Sequence, residues 1–372
     1  MSTQCVAHLT YSFGYGGLEK VIANTILHSQ HYPNTQHIII SLIDNTSLKE
    51  TLPSNVEVFT LNKRPGTDLR VYKTLYRLLK DKGVTVFHTY NFCTIEYHAV
   101  AKACGVPRRI HADHGMGGDS SKGTCKKRRL VRRMMSHFVH KYVVVSNDLK
   151  RWVISSVGVN EEKVKFVFNG VATRPRQPVN PAQKDALSLV CVGRLEKVKN
   201  HARLLHAIAS FKQSRPNVKI HCNIVGEGNE RAALKQLTAS LSLNENITFC
   251  GLQSEVIPYL NQADGFILSS DYEAMPITIL EAMSCTLPVI CPKVGGVTDF
   301  ISEKEAILVK GQDSAALARG IERLYGMNTA TRQTMADQGL SLVNTQYSIE
   351  TMIEVYFGLY QIEQLPAQPR LL

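Results

Sequence analysis

Short apolar runs rich in Val and Ile recur along this chain, and stretches with helical spacing lie between them. CVAHL, HIIISLI, VEVFTL, VTVFH, RRIHADH, YVVVS and VKFVFNG come first; LSLVCVG, VKIHCNIVG, NITFCG, ADGFILSS, TLPVICP and AILVK follow. A strand that is apolar on nearly every residue must be covered on both faces. Helical patterns such as Leu18–Ser29 and Leu69–Lys82 supply the covering layers, so the alternation predicts βαβ units and buried parallel sheets. The pattern is interrupted once, at Val171–Asp185, where three prolines fall among polar residues and predict a linker. The expected organisation is therefore residues 1–175 as one α/β domain, 185–347 as a second, and 348–372 as a closing helix and tail. Ligands of open parallel sheets sit beyond the carboxyl ends of the strands. The motifs below fall at such ends.

The chain has 372 residues, and none of its segments approaches the ~18–20 apolar residues of a membrane span. Its first residues, MSTQCVAHLTYSFGYGG, lack a basic region followed by an apolar one, so a cytoplasmic protein is expected. The nine cysteines form no Cys-x-x-Cys pair and several lie in strand runs, which predicts buried free thiols. Charge is uneven: residues 1–178 carry 26 Lys and Arg against 12 Asp and Glu, the remainder 17 against 19. The first half is thus expected to meet something anionic.

Four segments carry chemistry. In SSDYEAMPITILEAMSCTLPVI, Glu273 follows a strand, and Pro276 suits the first position of a helix that places Glu281 in its second turn. Amides at that helix start, including those of Met275 and Ile277, suit phosphate or sugar oxygens, and a carboxylate suits a diol. VCVGRLEKVKN ends a strand at Gly193 and then presents Arg194 and Lys199, two cations for a departing diphosphate. FGYGGLEKVIANTIL opens a helix with Gly16 and Gly17, which allow close backbone approach. RRIHADHGMGGD ends a strand at His111, Asp113 and His114. Its His-x-x-His spacing has no further ligand in a recognisable pattern, so contact with substrate is expected there rather than metal.

The order of GGLEKVI, HG, VSNDL, FNGV, VGRLEKVKN, VGEGNER, the two-glutamate segment and VGGVTDFI resembles glycosyltransferase family four, over nearly the whole chain. That resemblance implies the GT-B fold: two Rossmann-like domains facing across a cleft, with a C-terminal helix crossing back to the N-terminal domain. It implies a retaining transfer of a sugar, of hexosyl or N-acetylhexosaminyl class, from a nucleotide sugar, UDP by family habit. The acceptor is a hydroxyl of a glycan or glycolipid in lipopolysaccharide, capsule or exopolysaccharide synthesis. Carried over, Arg194 and Lys199 hold the donor diphosphate, Glu273 contacts the transferred sugar with Ala274 beside it, and Glu281 binds the ribose. His114 hydrogen-bonds the sugar, and Gly16 and Gly17 approach donor phosphate and acceptor. No resident cofactor and no metal are implied. Two positions depart from the family's glycines: Ala274 after the first glutamate, and Thr286 before Leu-Pro-Val, at the expected end of the helix.

Lys122–Arg133 holds seven Lys and Arg interleaved with Leu130 and Val131, and Met134, Met135 and Phe138 follow. A basic amphipathic helix on an anionic membrane surface is expected, which would make the protein peripheral on the inner face of the cell membrane. No nucleic-acid recognition motif accompanies it. An NAD-dependent oxidoreductase is disfavoured because Gly14, Gly16 and Gly17 do not meet the dinucleotide spacing. A sugar phosphorylase, a nucleotide-sugar epimerase and a non-catalytic nucleotide-sugar binding protein share the fold and stay open as alternatives.

Overall fold

The computed structural model describes residues 3–116, 123–181 and 185–362. The chain divides into two compact units, Met1–Asn169 with Ile349–Leu372, and Gly170–Ser348.

The first unit is built on seven strands: β1 (Gln4–Thr10), β2 (Thr35–Ser41), β3 (Glu57–Thr60), β4 (Val86–Tyr90), β5 (Arg108–Asp113), β6 (Lys141–Val144) and β7 (Val164–Phe166). They lie in the order β3-β2-β1-β4-β5-β6-β7, and every pairing is parallel. Helices α1 (Gly17–Leu27), α2 (Leu69–Asp81), α3 (His98–Ala103), α4 (Lys126–Ser136) and α5 (Asn147–Trp152) connect them. Local sequence explains several boundaries. Asp68 caps α2 by accepting from the Arg70 N–H, and Ser146 caps α5 by accepting from the Leu149 N–H. Along α2, Val71, Leu75 and Leu79 recur every four residues and enter a core with Leu9, Ile38, Ile40 and Phe87. Burying each such side chain contributes roughly 1.5–3 kcal/mol.

The second unit has β8 (Ala186–Val192), β9 (Lys219–Val225), β10 (Ile247–Gly251), β11 (Gly265–Ile267), β12 (Val289–Pro292) and β13 (Ile307–Val309), ordered β10-β9-β8-β11-β12-β13 and again parallel. Its helices are α6 (His201–Ser214), α7 (Arg231–Ser240), α8 (Ile257–Asn261), α9 (Ile277–Ser284), α10 (Ser314–Gly326) and α11 (Thr329–Gln346). Leu204, Ile208 and Phe211 of α6 and Leu317, Ile321 and Leu324 of α10 share one core with Leu189 and Ile290 of the sheet.

The last helix, α12 (Ile349–Tyr360), returns to the first unit. Phe357 stacks on Tyr32 with ring centres 3.8 Å apart, and the Arg108 Nε donates to the Leu359 carbonyl at 2.9 Å. A buried polar row also holds it: His37 Nδ1 to His8 Nε2 (3.0 Å), His8 Nδ1 to the Tyr90 hydroxyl (2.8 Å), and His88 Nδ1 to the hydroxyls of Tyr90 (2.9 Å) and Tyr360 (2.7 Å).

Three expectations need correction. The chain changes unit at Asn169, before the proline-rich segment rather than within it, and residues 176–179 of that segment bond to the second unit. There Arg176 pairs with Asp337 at 2.7 Å, the Gln177 N–H donates to Thr286 Oγ1 at 3.0 Å, and the Val179 N–H donates to Gln333 at 2.9 Å. Prolines stiffen a strap without supplying donors, and the residues between them make its bonds. Among the cysteines, Cys93, in a short 3-10 turn, and Cys125, at the start of α4, are exposed, and Cys250 of the edge strand β10 is half-buried; the other six are buried. Pro276 is not the first residue of α9 but the extended residue before it (φ −73°, ψ 111°). Among the described residues, no helix is long and apolar enough to cross a membrane.

Candidate active site

In each sheet the chain winds outward from one strand in two directions. The switch lies between β1 and β4 in the first unit and between β8 and β11 in the second. Loops leaving adjacent strands part there, and the gap is where such sheets take ligands.

In the second unit, the loop after β8 carries Arg194 and Lys199, and the loop after β11 carries Glu273. Their side chains meet: Lys199 Nζ donates to Glu273 Oε1 at 2.6 Å, and the Ser270 hydroxyl donates to the same oxygen at 2.6 Å. Arg194 is exposed on that loop. Each loop is fixed by backbone contacts. The Leu195 N–H donates to Glu227 O at 2.8 Å, and the Glu230 N–H to Leu195 O at 2.9 Å. Gly226 has φ +143°, and a Cβ there would stand 2.1 Å from Gly193 O, so only glycine fits. The Gly296 N–H donates to the Glu273 carbonyl at 2.9 Å; Gly295, at φ +51°, would put a Cβ 2.1 Å from that carbonyl. The VGEG and VGG segments thus brace the loops that present the charges.

Ala274, Met275, Pro276 and Ile277 are all buried, and α9 begins at Ile277. Ala274 is not at positive φ, so alanine costs nothing there. Glu281 is half-exposed in the second turn of α9, as the spacing predicts. Thr286 does occupy the left-handed position at the helix end, φ +56°, where glycine is usual. The backbone is not remodelled; the Thr286 hydroxyl oxygen accepts the strap's Gln177 N–H instead.

In the first unit, Gly16 precedes α1 and Gly17 begins it. Gly16 has φ −163°, an extended conformation open to any residue, and a Cβ there would meet the Glu19 carboxylate at 2.3 Å. Neither dihedral nor rigid packing therefore demands glycine at this position, because the carboxylate is the far end of a flexible side chain. His114 follows β5, its N–H donating to Asn91 Oδ1 at 2.9 Å and its ring 6.1 Å from that of Tyr90. Burial pushes the His114 ring down to about 4, so it is neutral near pH 7. His111 does not face outward: its Nδ1 bonds the Thr89 hydroxyl at 2.7 Å and its Nε2 lies 3.5 Å from Asp113. Lys122 and the residues Gly117, Gly118 and Asp119 of the histidine segment lie outside the described residues.

Several supporting residues escaped the sequence reading. Arg203 donates to the carbonyls of Ser269 (2.9 Å) and Ser270 (3.3 Å) and pairs with Asp271, tying α6 to the loop that bears Glu273. Asn200, left-handed at φ +47°, caps α6 and donates to Asp271 at 3.1 Å. The available signal was a cation in ARLL, among residues that helical period sends inward. The basic segment predicts Arg132 on the surface with its other charges. Arg132 is instead 1% exposed and paired with Asp113 at 2.9 Å, because its side chain lies on the inward face of α4.

Family models agree with this architecture. Residues 15–174 match the model of Glycosyltransferase Family 4, and residues 173–340 that of Glycosyl transferases group 1. Among curated relatives, the UDP-Gal:alpha-D-GlcNAc-diphosphoundecaprenol alpha-1,3-galactosyltransferase of Escherichia coli is 26% identical over 274 residues, 69% of this chain and 70% of that one. The lipopolysaccharide core biosynthesis glycosyltransferase LpsD of Rhizobium meliloti (strain 1021) is 27% identical over 202 residues, covering 53% of this chain and 57% of its own length. Among solved structures, Anabaena HepE in complex with UDP-glucose superposes with a TM-score of 0.80 at 18% identity, over 96% of this chain and 99% of that chain. The fold is therefore that of these GT-B structures, and with the two family models together spanning residues 15–340, the chain belongs to the group 1, family four glycosyltransferases.

Proposed function

We propose that this chain is a retaining glycosyltransferase that moves a hexosyl or N-acetylhexosaminyl group from a UDP-sugar to a hydroxyl of a lipid-linked or polysaccharide acceptor. The observation that carries the proposal is the Lys199–Glu273 pair at the switch point of the second sheet, with Arg194 on the same loop. A carboxylate and two cations suit a ligand that is hydroxyl-rich at one end and doubly anionic at the other. A sugar diphosphate is such a ligand. The relatives named above, acting in lipopolysaccharide core synthesis and on a diphosphoundecaprenol-linked sugar, support the acceptor class.

In this reading Arg194 and Lys199 neutralise the diphosphate, most strongly as it departs and gains charge. The amides at the start of α9 meet donor oxygens, Glu273 holds sugar hydroxyls and Glu281 the ribose. His114, neutral, shares a hydrogen bond with the transferred sugar. The acceptor oxygen attacks the anomeric carbon from the face that the diphosphate leaves. The carbon–oxygen bond to phosphate breaks, the new glycosidic bond forms, and the acceptor proton passes to the leaving phosphate oxygen. Configuration is retained without a covalent enzyme intermediate, and the cations do the work of a metal.

Release of UDP from a panel of UDP-sugars, with and without excess EDTA, tests this. Wild-type turnover should survive EDTA, and Arg194→Ala should lose about 100-fold or more in kcat, as for other groups that stabilise developing charge. Unchanged turnover by Arg194→Ala would refute the assignment.

A further inference from the structure

We propose that Arg132 is a positioning residue for His114: a single buried guanidinium, reaching inward from α4, clamps the turn that carries the histidine on both of its sides. Its Nε donates to Asp113 Oδ2 at 2.9 Å and its Nη2 lies 3.4 Å from Asp113 Oδ1, on the residue before His114. The same Nη2 donates to the Met116 carbonyl at 3.2 Å, two residues after it. Only a planar fork bonds a carboxylate and a carbonyl in this way, and a lysine ammonium does not reproduce it.

The clamp is itself locked. Arg132 also stands against two aromatic rings, 4.8 Å from the centre of Phe92 and 5.1 Å from that of Trp152. Asp113, fully buried, also accepts from the Tyr142 hydroxyl at 2.5 Å. Burial alone would raise the Asp113 carboxyl, but Arg132 and His111 bring it below the ordinary carboxylate range, so the pair is charged at neutral pH.

The clamp presents a ring nitrogen at the end of β5. Nε2 of His114 is buried and has no hydrogen-bond partner among the described residues. A buried polar atom without a partner costs about 1–3 kcal/mol, and a ligand hydroxyl arriving there removes that cost. Gly115, inside the clamped turn, has open space where a Cβ would stand, so the turn is not wedged by packing from that side. The guanidinium bonds hold it instead. Buried ion pairs cost desolvation and are poor stabilisers, which fits a role in fixing geometry.

This inference rests on the proposed contact between His114 and the transferred sugar, and a double-mutant cycle separates the two. UDP- and GDP-sugars are scanned for nucleotide release, and the one turned over is used to compare wild type, Arg132→Lys, His114→Ala and the double variant. Binding of the free nucleotide is followed by calorimetry and folding by Trp152 fluorescence. Arg132→Lys is expected to stay folded, bind nucleotide within twofold of wild type, and lose about 10–100-fold in kcat, the scale of an ångström-sized misplacement. In the His114→Ala background the same change is expected to cost less than about threefold, since there is no ring left to position. Added guanidinium ion should restore part of the kcat of Arg132→Ala but not that of the Arg132→Ala, His114→Ala double variant. If Arg132→Lys does not fold, Asp113→Asn takes its place in the cycle with the same expectation. Equal losses in both backgrounds, or a loss that follows the unfolded fraction, would show a purely structural arginine and overturn the inference. A silent Arg132→Lys would do the same. A silent His114→Ala, or no turnover of any sugar nucleotide, would instead remove the functional reading beneath it.

Discussion

At the scale of single residues, the energetics of Thr286 are a near balance. A β-branched residue in the left-handed region costs about 1–2 kcal/mol, while its hydroxyl supplies the acceptor for the Gln177 N–H, a bond worth about 0.5–1.5 kcal/mol. Thr286→Gly should therefore leave stability within about 1 kcal/mol of wild type, since it relieves one term and removes the other. Thr286→Val keeps the strain and orphans the N–H, so it should cost about 1–2 kcal/mol. Urea midpoints of the two variants check this, and a Gly variant that is the more damaging of the pair would contradict it. The placing of Arg194, Lys199 and Glu273 in loops that follow strands, and of Glu281 in the second turn of a helix, was legible in the sequence. The pairing of Arg203 and Arg132 was not. A helical period can mark an arginine as inward-facing, but the acids they pair with lie 68 and 19 residues away, and no period announces those partners.

Among the elements, α4 shows where pattern reading works and where it stops. Its helical spacing was legible in the sequence, but its six cations do not form one surface. Lys126, Lys127, Leu130, Arg133 and Met134 are exposed, Leu130 at 58% and Met134 at 53%, whereas Arg132 is buried. Arg128 and Arg129 are half-buried, the former over the Phe92 ring. The outward face pairs two large apolar side chains with three cations, the composition of a helix lying on an anionic bilayer. Each cation near such a surface contributes about 1 kcal/mol. Reversing Lys126, Lys127 and Arg133 to Glu should therefore reduce sedimentation with phosphatidylserine vesicles by about 100-fold or more, while nucleotide binding in the second unit stays unchanged. Equal sedimentation of variant and wild type would refute the membrane-facing role. Strand order was not legible in the same way: the run of apolar strands implied parallel sheets, but only tertiary packing shows that β1 and β8 are the strands from which each chain half winds outward.

For the molecule as a whole, the first unit carries a pH liability that the second lacks in this density. His8, His37, His88, His98 and His111 are buried there, and burial lowers the pKa of each, that of His37 to about 4. His37 faces His8 of β1 and Phe357 of α12, and no carboxylate is among these contacts. A histidine with a folded pKa below its unfolded value of 6.5 binds protons more readily when unfolded. Stability is thus intact above about 6.5 and falls as pH drops toward 4, by up to about 1.4 kcal/mol per pH unit for each such group. The chain's single tryptophan, Trp152, lies in this unit and reports on it alone. Its urea midpoint should fall between pH 7.5 and pH 5, and His37→Gln should make that fall shallower. A midpoint independent of pH would show that these rings are not held neutral.

The central claim is that the second unit binds the nucleotide end of a sugar donor around Lys199, Glu273 and Glu281. Calorimetric titration of UDP, with GDP in parallel, into the wild type and into Glu281→Ala tests it most directly. The wild type should bind UDP with a Kd on the order of micromolar, and removal of the Glu281 carboxylate should weaken binding about tenfold or more, corresponding to about 1.4 kcal/mol. Absence of binding by either nucleotide, or equal affinity in wild type and Glu281→Ala, would contradict it.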